Sequence, residues 1–418
     1  MSLRESLRLL SPAAYALVAM RGVLFLGVQI SYFVGVMGTL TYSMGANALV
    51  MACVVGILNS MLVLGSFAGG AYLDSHDPRS HARMTIICLT TAAICFVLFG
   101  TTNLNILICS AMFGMSVGFA DSISRAYPAY LTKDPTTLKA INSVLSLTSN
   151  IAGILGPILG GFIAAVVPSR MVFVVTIMTS LATSLFVRAF LAGITETVEH
   201  VQEQKATGRI ADGFSYVFHN ATLGFLFCMS FVSFLGFGAF DPLESLYYRD
   251  VLHVGVTWMG WLSSAFGIGC AIGNVLVLKI PHKFVNSRTL LYSIFAMGLA
   301  CMLYVSTSNV LICFTGQVLE GVAEGITFPL ITTLTQTHTD VKRLGVVNSV
   351  MNFGFNMAGT VPLFFAPAIA SVLGVQGTLI AASLFVASIP LSYLLFFHHR
   401  VDRLVEEERR LDIAIQAE

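Results

Sequence analysis

The chain has 418 residues, of which 56% are hydrophobic and only 10% charged, against about 25% charged in soluble domains. So few charges cannot clothe a water-soluble protein of this length, and the chain reads as an all-α polytopic membrane protein. Its 22 Lys and Arg balance 21 Asp and Glu, and no basic stripe marks a nucleic-acid partner.

Windows of about 20 mostly apolar residues give twelve predicted spans, at 13–38, 47–73, 84–102, 105–131, 141–167, 171–193, 222–247, 257–279, 289–307, 310–335, 345–372 and 376–397. The first runs past the length of a signal h-region, so it reads as a span and not as a cleavable leader. Most connections are short, which favours antiparallel neighbours. The exception is Ile194 to Ala221, which holds Glu196, Glu199, His200, Glu203, Lys205, Arg209 and Asp212. It divides the chain into an N-terminal six-helix bundle (1–193), a linker (194–221), a C-terminal six-helix bundle (222–397) and a tail (398–418). Within the linker, Phe214–Phe218 reads as an amphipathic piece on the membrane surface.

Orientation follows from the basic residues. With the N-terminus inside, the outer loops carry only Arg170 and Arg249, while the inner loops and tails run from Arg4 and Arg8 to Arg409 and Arg410. Both termini are expected in the cytoplasm, with the chain in the plasma (inner) membrane. The eight cysteines, Cys53, Cys88, Cys95, Cys109, Cys228, Cys270, Cys301 and Cys313, form no C-x-x-C pair and have no His at ligand spacing. They read as small buried apolar residues, without a metal.

The two halves echo each other. Asn142-Ser143-Val144 is followed by Asn150-Ile-Ala152-Gly153; 206 residues on, Asn348-Ser349-Val350 is followed by Asn356-Met-Ala358-Gly359. Asp134 and Asp340 keep the same offset. Two repeated halves point to a transporter with its substrate site at their interface near the bilayer midplane.

Two motifs give the chain a resemblance to the major facilitator superfamily along nearly its whole length. Gly70-Ala-Tyr-Leu-Asp74-Ser-His-Asp-Pro-Arg79 resembles that family's G-x-x-x-D-R-x-G-R-K loop at Gly70, Asp74 and Arg79, and departs from it at Ser75, Asp77 and Pro78. Gly153-Ile-Leu-Gly156-Pro157-Ile-Leu-Gly160-Gly161 is similar to the G-x-x-x-G-P-x-x-G-G motif of the family's antiporter branch. Both sets are expected to serve gating. Independently of any family, such small residues let another helix approach closely, and Pro157 permits a bend. The family's R-x-x-Q-G pattern in span four is replaced by Ser110-Ala-Met-Phe113-Gly114. The segment Asp241–Asp250 resembles bacterial macrolide-type drug exporters or siderophore exporters.

Charges inside a bilayer are expensive, about 2.5–3.5 kcal/mol each on insertion scales, and usually face water-filled space. Seven stand mid-span: Arg21 in span one, Asp121 and Arg125 in span four, Asp241 and Glu244 in span seven, Glu320 and Glu324 in span ten. In the fold this chain resembles, these four spans line the central cavity. Glu320 falls roughly 15 Å from the outer end of span ten, near the midplane. Glu320, Glu324 and Asp121 are the proton-coupling candidates; Arg21, Arg125, Asp241 and Glu244 are the substrate-cavity candidates. Asp121 and Arg125, one turn apart, read equally as a salt bridge that only positions span four. Pro242 is expected to kink span seven.

The leading expectation is a monomeric proton-coupled antiporter exporting a small amphipathic molecule, with cavity carboxylates contested by proton and substrate. It needs no cofactor beyond the proton gradient. An ion-coupled importer of a small metabolite is the alternative. An enzyme is disfavoured, since no H-E-x-x-H appears, and an ATP-driven pump lacks its G-x-x-x-x-G-K-[ST] loop. No filter repeat suggests a channel.

Overall fold

The computed structural model describes residues 10–132, 134–192, 210–277, 279–281, 284–339 and 343–417. The linker charges before residue 210, together with Arg4, Arg8, Lys133, Lys283, Asp340 and Lys342, lie outside the described residues. So do the side chains of Asp74 and Arg125. Among the described residues the chain is helical with short connections and contains no strand.

Eleven helical stretches are long and apolar enough to cross a bilayer. The last, Val346–Phe396, holds two crossings, because Gly374 at φ 73° and ψ 169° interrupts it. Only a residue without Cβ takes that conformation cheaply, so the break falls between the predicted spans eleven and twelve. Large apolar side chains such as Phe67, Leu185 and Phe364 are exposed; a surface of that kind calls for lipid.

Polar residues start the spans. Ser11, Asn47, Asp77, Thr102, Asp134, Asn220, Asn286 and Asn309 each cap a helix by accepting a backbone N–H of its first turn. Such a cap is worth about 1 kcal/mol. Pro12, Pro78 and Pro135 follow three of these caps, at positions whose missing N–H would be unpaired anyway. Span five consequently begins at Pro135, several residues before the apolar pattern does.

Span one changes from α-helix (Pro12–Ile30) to π-helix (Ser31–Ser43). At the junction the Ser31 and Thr176 hydroxyls lie 2.5 Å apart, and Thr176 donates to the Gly27 carbonyl at 2.8 Å. Span seven is also divided, into Ala221–Phe237 and Phe240–Asp250. The break comes one turn before Pro242, where the proline's missing donor would have faced the Gly238 carbonyl.

The helices cluster into two compact units. The first comprises residues 1–201 with His253–Ser264, and the second 202–252 with 265–418. The core of the first gathers Leu17, Met20, Ile123, Tyr127, Ile141 and Phe190. In it, Gly114 and Gly118 of span four press onto the Leu58 and Leu62 carbonyls of span two. The second unit repeats the device, with Gly321 and Gly325 of span ten against the Phe266 and Cys270 carbonyls of span eight.

The segment after span twelve, expected only as a tail, is a helix (His398–Ala417) docked on the second unit. Val401 and Leu404 enter the core beside Val217, Leu290 and Val347. Glu408, 3% exposed, accepts from the Ser287 N–H at 3.0 Å and from the Ser287 hydroxyl. Ser287 opens span nine, so the carboxylate meets the positive end of that helix. Asp402 pairs with Arg288 alongside. The linker helix Ile210–His219 packs on span eleven, with Arg343 over the Tyr216 ring at 4.7 Å.

Candidate functional site

The motif between spans two and three is built as a helix stop followed by a cap. The helix Ala48–Ser75 ends, and Asp77 accepts from the Ser80 N–H at 2.8 Å. Asp77 and Pro78, which depart from the resembled loop, are thus the residues that start span three. The Tyr72 hydroxyl lies 2.8 Å from that of Ser80, and its ring stacks on His76 at 4.0 Å. Arg79 is exposed, and a Cβ added to Gly70 would meet nothing within 4 Å.

Just inside span three, His81 is fully buried. Its Nδ1 meets the Tyr127 hydroxyl at 3.0 Å, and Tyr127 donates to the Pro78 carbonyl at 3.0 Å. The apolar window starts after His81, which is why the sequence reading passed over it.

The span-five motif is a close-packing seam within the first unit. A Cβ on Gly156 would lie 2.6 Å from Gln29 Cβ, and one on Gly160 2.7 Å from Val34 Cγ2. A Cβ on Gly161 would lie 3.1 Å from the Thr257 carbonyl oxygen, Gly260 rests on the Pro157 carbonyl, and Ser264 donates to the Ile154 carbonyl at 2.9 Å. The motif therefore touches span one on one side and the first turns of span eight on the other. Gly153 is looser, since a Cβ there would meet only Gln29 Nε2, at 3.4 Å.

Charge enters the first unit through Arg21. Its Nη2 lies 3.3 Å from Asp121 Oδ1, its Nε donates to the Ser149 hydroxyl at 3.3 Å, and its guanidinium sits 4.3 Å above the Phe25 ring. The Asp121 partner found here comes from span one, a tertiary contact that the i,i+4 spacing to Arg125 did not reveal. Spans one, four and five are joined by this one side chain. Ser110, standing where the resembled family often has Arg, is buried with its hydroxyl unpaired.

The second unit gathers the carboxylates. Glu244 accepts from Gln317 Nε2 at 2.7 Å and from the Tyr304 hydroxyl at 3.1 Å. Gln317 Nε2 reaches the Tyr248 hydroxyl at 2.9 Å. Glu320 is 3% exposed. It stands on span ten between Gln317, which bonds Glu244, and Glu324. Glu320 is thus held away from open water. Glu324 and Asp241 are partly exposed.

Among the described residues no Lys, Arg or His forms an ion pair with Glu244, Glu320 or Glu324. Nor does any group of His, Cys, Asp and Glu there have metal-holding geometry. The sequence reading found the three glutamates but missed Gln317, Tyr248 and Tyr304. Gln317 lies one turn before Glu320 and Tyr248 one turn after Glu244, a polar spacing that was available as a signal.

The arrangement can be set beside known proteins. The chain is 23% identical over 337 residues to the multidrug efflux pump Tap of Mycolicibacterium fortuitum, covering 77% of this chain and 81% of that one. It is 24% identical over 254 residues to the uncharacterized MFS-type transporter YfmI of Bacillus subtilis, covering 58% of this chain and 61% of the relative. Its fold matches the crystal structure of a bacterial homologue of the iron transporter ferroportin with a TM-score of 0.70 at 14% identity, covering 91% of this chain and 98% of that one. The family model of the Major Facilitator Superfamily matches residues 17–229 and 226–414. With its repeated halves, its twelve crossings and its close-packed span five, the chain belongs to the Major Facilitator Superfamily of multi-pass membrane transporters.

Proposed function

We propose that the protein is a proton-coupled antiporter that exports a small amphipathic molecule from the cell by alternating access. It would act as a monomer in the plasma membrane with both termini in the cytoplasm, and it would need no cofactor beyond the proton gradient. The observation that carries the reading is the acid nest of the second unit: three glutamates, one of them sealed, with no cation paired to them among the described residues. Burying an isolated carboxylate as an anion is costly, and binding a proton removes that cost. A nest of this kind alternates between protonated and deprotonated forms as its access to water changes.

Export as the direction is supported by the span-five motif, which resembles the antiporter branch, and by the efflux pump Tap among the relatives. The Arg21–Asp121 pair, which ties three spans of the first unit, acts here as a positioning contact. Rocking of two repeated halves supplies alternating access in this class of transporter.

A susceptibility and accumulation screen of an overexpressing strain identifies the substrate. Reconstituted protein is then given that compound under an imposed pH gradient. Uphill movement against the proton flux is expected. Glu320→Gln, which fixes a protonated-like side chain, is expected to abolish gradient-driven transport while sparing energy-independent exchange. Uphill transport by Glu320→Gln at the wild-type rate would overturn the proton assignment, and co-movement of compound and protons would make the protein an importer.

A further inference from the structure

Spans three (Pro78–Phe99) and six (Phe173–Ala192) pack against each other in the first unit. Phe96, near the end of span three, stacks on Phe173 at the start of span six, with ring centroids 4.0 Å apart. At the opposite end both spans meet Tyr127: His81 Nδ1 lies 3.0 Å from its hydroxyl, and Phe190 stacks on its ring at 4.8 Å. Span three therefore begins at the level where span six ends. Arg83 stands there two residues after His81, and Arg188 two residues before Phe190. Arg79 lies one turn before Arg83.

Each span turns an apolar stripe outward. Ile87, Ile94 and Leu98 are exposed on span three, and Met178, Leu181 and Leu185 on span six. Spacings of three, four and seven keep each set on one helix face. Arg83, four residues before Ile87, and Arg188, three residues after Leu185, are exposed and continue those faces. Two adjoining stripes suited to lipid thus end in cations at the same level. Among the described residues no carboxylate pairs with Arg79, Arg83 or Arg188.

The second unit treats the matching place differently. Arg288 stands two residues after the Asn286 cap of span nine, as Arg79 stands two residues after the Asp77 cap of span three. There the C-terminal helix brings Asp402 onto the arginine. One unit answers its cation with a carboxylate of the chain, while the other presents three arginines outward beside an apolar surface.

We propose that the arginine end of the seam between spans three and six binds an anionic phospholipid. Its phosphate is held by Arg83 and Arg188, with Arg79 flanking them, and its acyl chains lie along the two apolar stripes. The planar fork of arginine matches phosphate oxygens in pairs. Packed helices lie about 8–10 Å apart, a gap that two long side chains close on one headgroup. A zwitterionic headgroup brings an ammonium that the same cations repel, and free phosphate makes no use of the stripes.

The test is lipid binding by the full chain in detergent, read by native mass spectrometry with phosphatidylglycerol, phosphatidylcholine or inorganic phosphate as the probe. A cation beside an anionic headgroup is worth about fivefold in affinity. Wild-type protein is therefore expected to bind its first phosphatidylglycerol about 25-fold more tightly than phosphatidylcholine. Arg83→Gln and Arg188→Gln should each lose about fivefold, and the double variant should bind the two lipids alike. Arg249→Gln, whose cation is paired with Asp250, should bind as wild type. Equal binding of the two lipids by wild-type protein, or an unchanged preference in the double variant, would overturn the site. Displacement of the lipid by equimolar inorganic phosphate would make it an ion site and overturn it too. Glu196, Glu199 and Glu203 follow span six outside the described residues. Changing all three to Gln should leave phosphatidylglycerol binding unchanged, and tighter binding would give the arginines to that acidic segment instead.

Discussion

Glycine positions in this chain are separable by geometry, and the separation predicts a graded response to alanine. At Gly156 the added Cβ would lie 2.6 Å from Gln29 Cβ and 3.2 Å from Ile30 N, so two helix backbones must part. Overpacking of this kind costs about 2 kcal/mol, within a range of roughly 1–3. Alanine returns about 1 kcal/mol of helix propensity, which leaves a net loss near 1 kcal/mol. At Gly70 and Gly359 nothing lies within 4 Å of the added Cβ, so only the gain of about 1 kcal/mol remains. The gap between Gly156→Ala and Gly70→Ala is therefore about 2 kcal/mol, or roughly 4–8 °C in melting temperature for a unit of some 200 residues. Melting of the purified variants in detergent reads this directly, and Gly153→Ala, facing only the mobile end of Gln29, should fall between them. Gly156→Leu should go further and block transport in a well-inserted protein. A Gly156→Ala protein as stable as Gly70→Ala would refute the close-packing argument for the span-five motif, whatever its family resemblance.

Three further outcomes follow from the same contacts. Asp121→Asn and Arg21→Gln should each destabilise the protein, and the double variant should lose less than their sum, with a coupling of roughly 0.5–3 kcal/mol from a double-mutant cycle of melting curves; strict additivity would dissolve the pair. Glu408→Ala strands the buried Ser287 N–H and should cost about 1–3 kcal/mol and speed proteolysis of the C-terminal helix, with Glu408→Gln intermediate; unchanged proteolysis would mean that the helix is held by Val401 and Leu404 alone. Gly374→Ala places a Cβ at φ 73° and should cost about 1–3 kcal/mol of backbone strain despite open space around it, measurable as a lower melting temperature.

The sequence by itself determined the solvent, the crossings and the repeat. Hydropathy is a property of each window, and a 20-residue apolar run has few alternatives to a membrane helix once its backbone must satisfy itself. It also picked out Arg21, Asp121, Glu244, Glu320 and Glu324, because a charge in an apolar run is conspicuous without knowledge of its partner. Partners were the part it could not supply. Asp121 had Arg125 one turn away in sequence, yet the tertiary structure brings Arg21 to it from a hundred residues earlier. Gln317, Tyr248 and Tyr304 are ordinary residues of apolar helices until folding gathers them at the Glu244 carboxylate. The face of span ten that Glu320 presents was likewise undecided, since helical periodicity gives which residues share a side and not which neighbour that side meets. The C-terminal helix shows the same limit from outside the membrane: its charges read as a solvated tail, and only the position of the start of span nine makes Glu408 a buried cap. Local physics sets the helices, and the meeting of helices distant in sequence sets the chemistry.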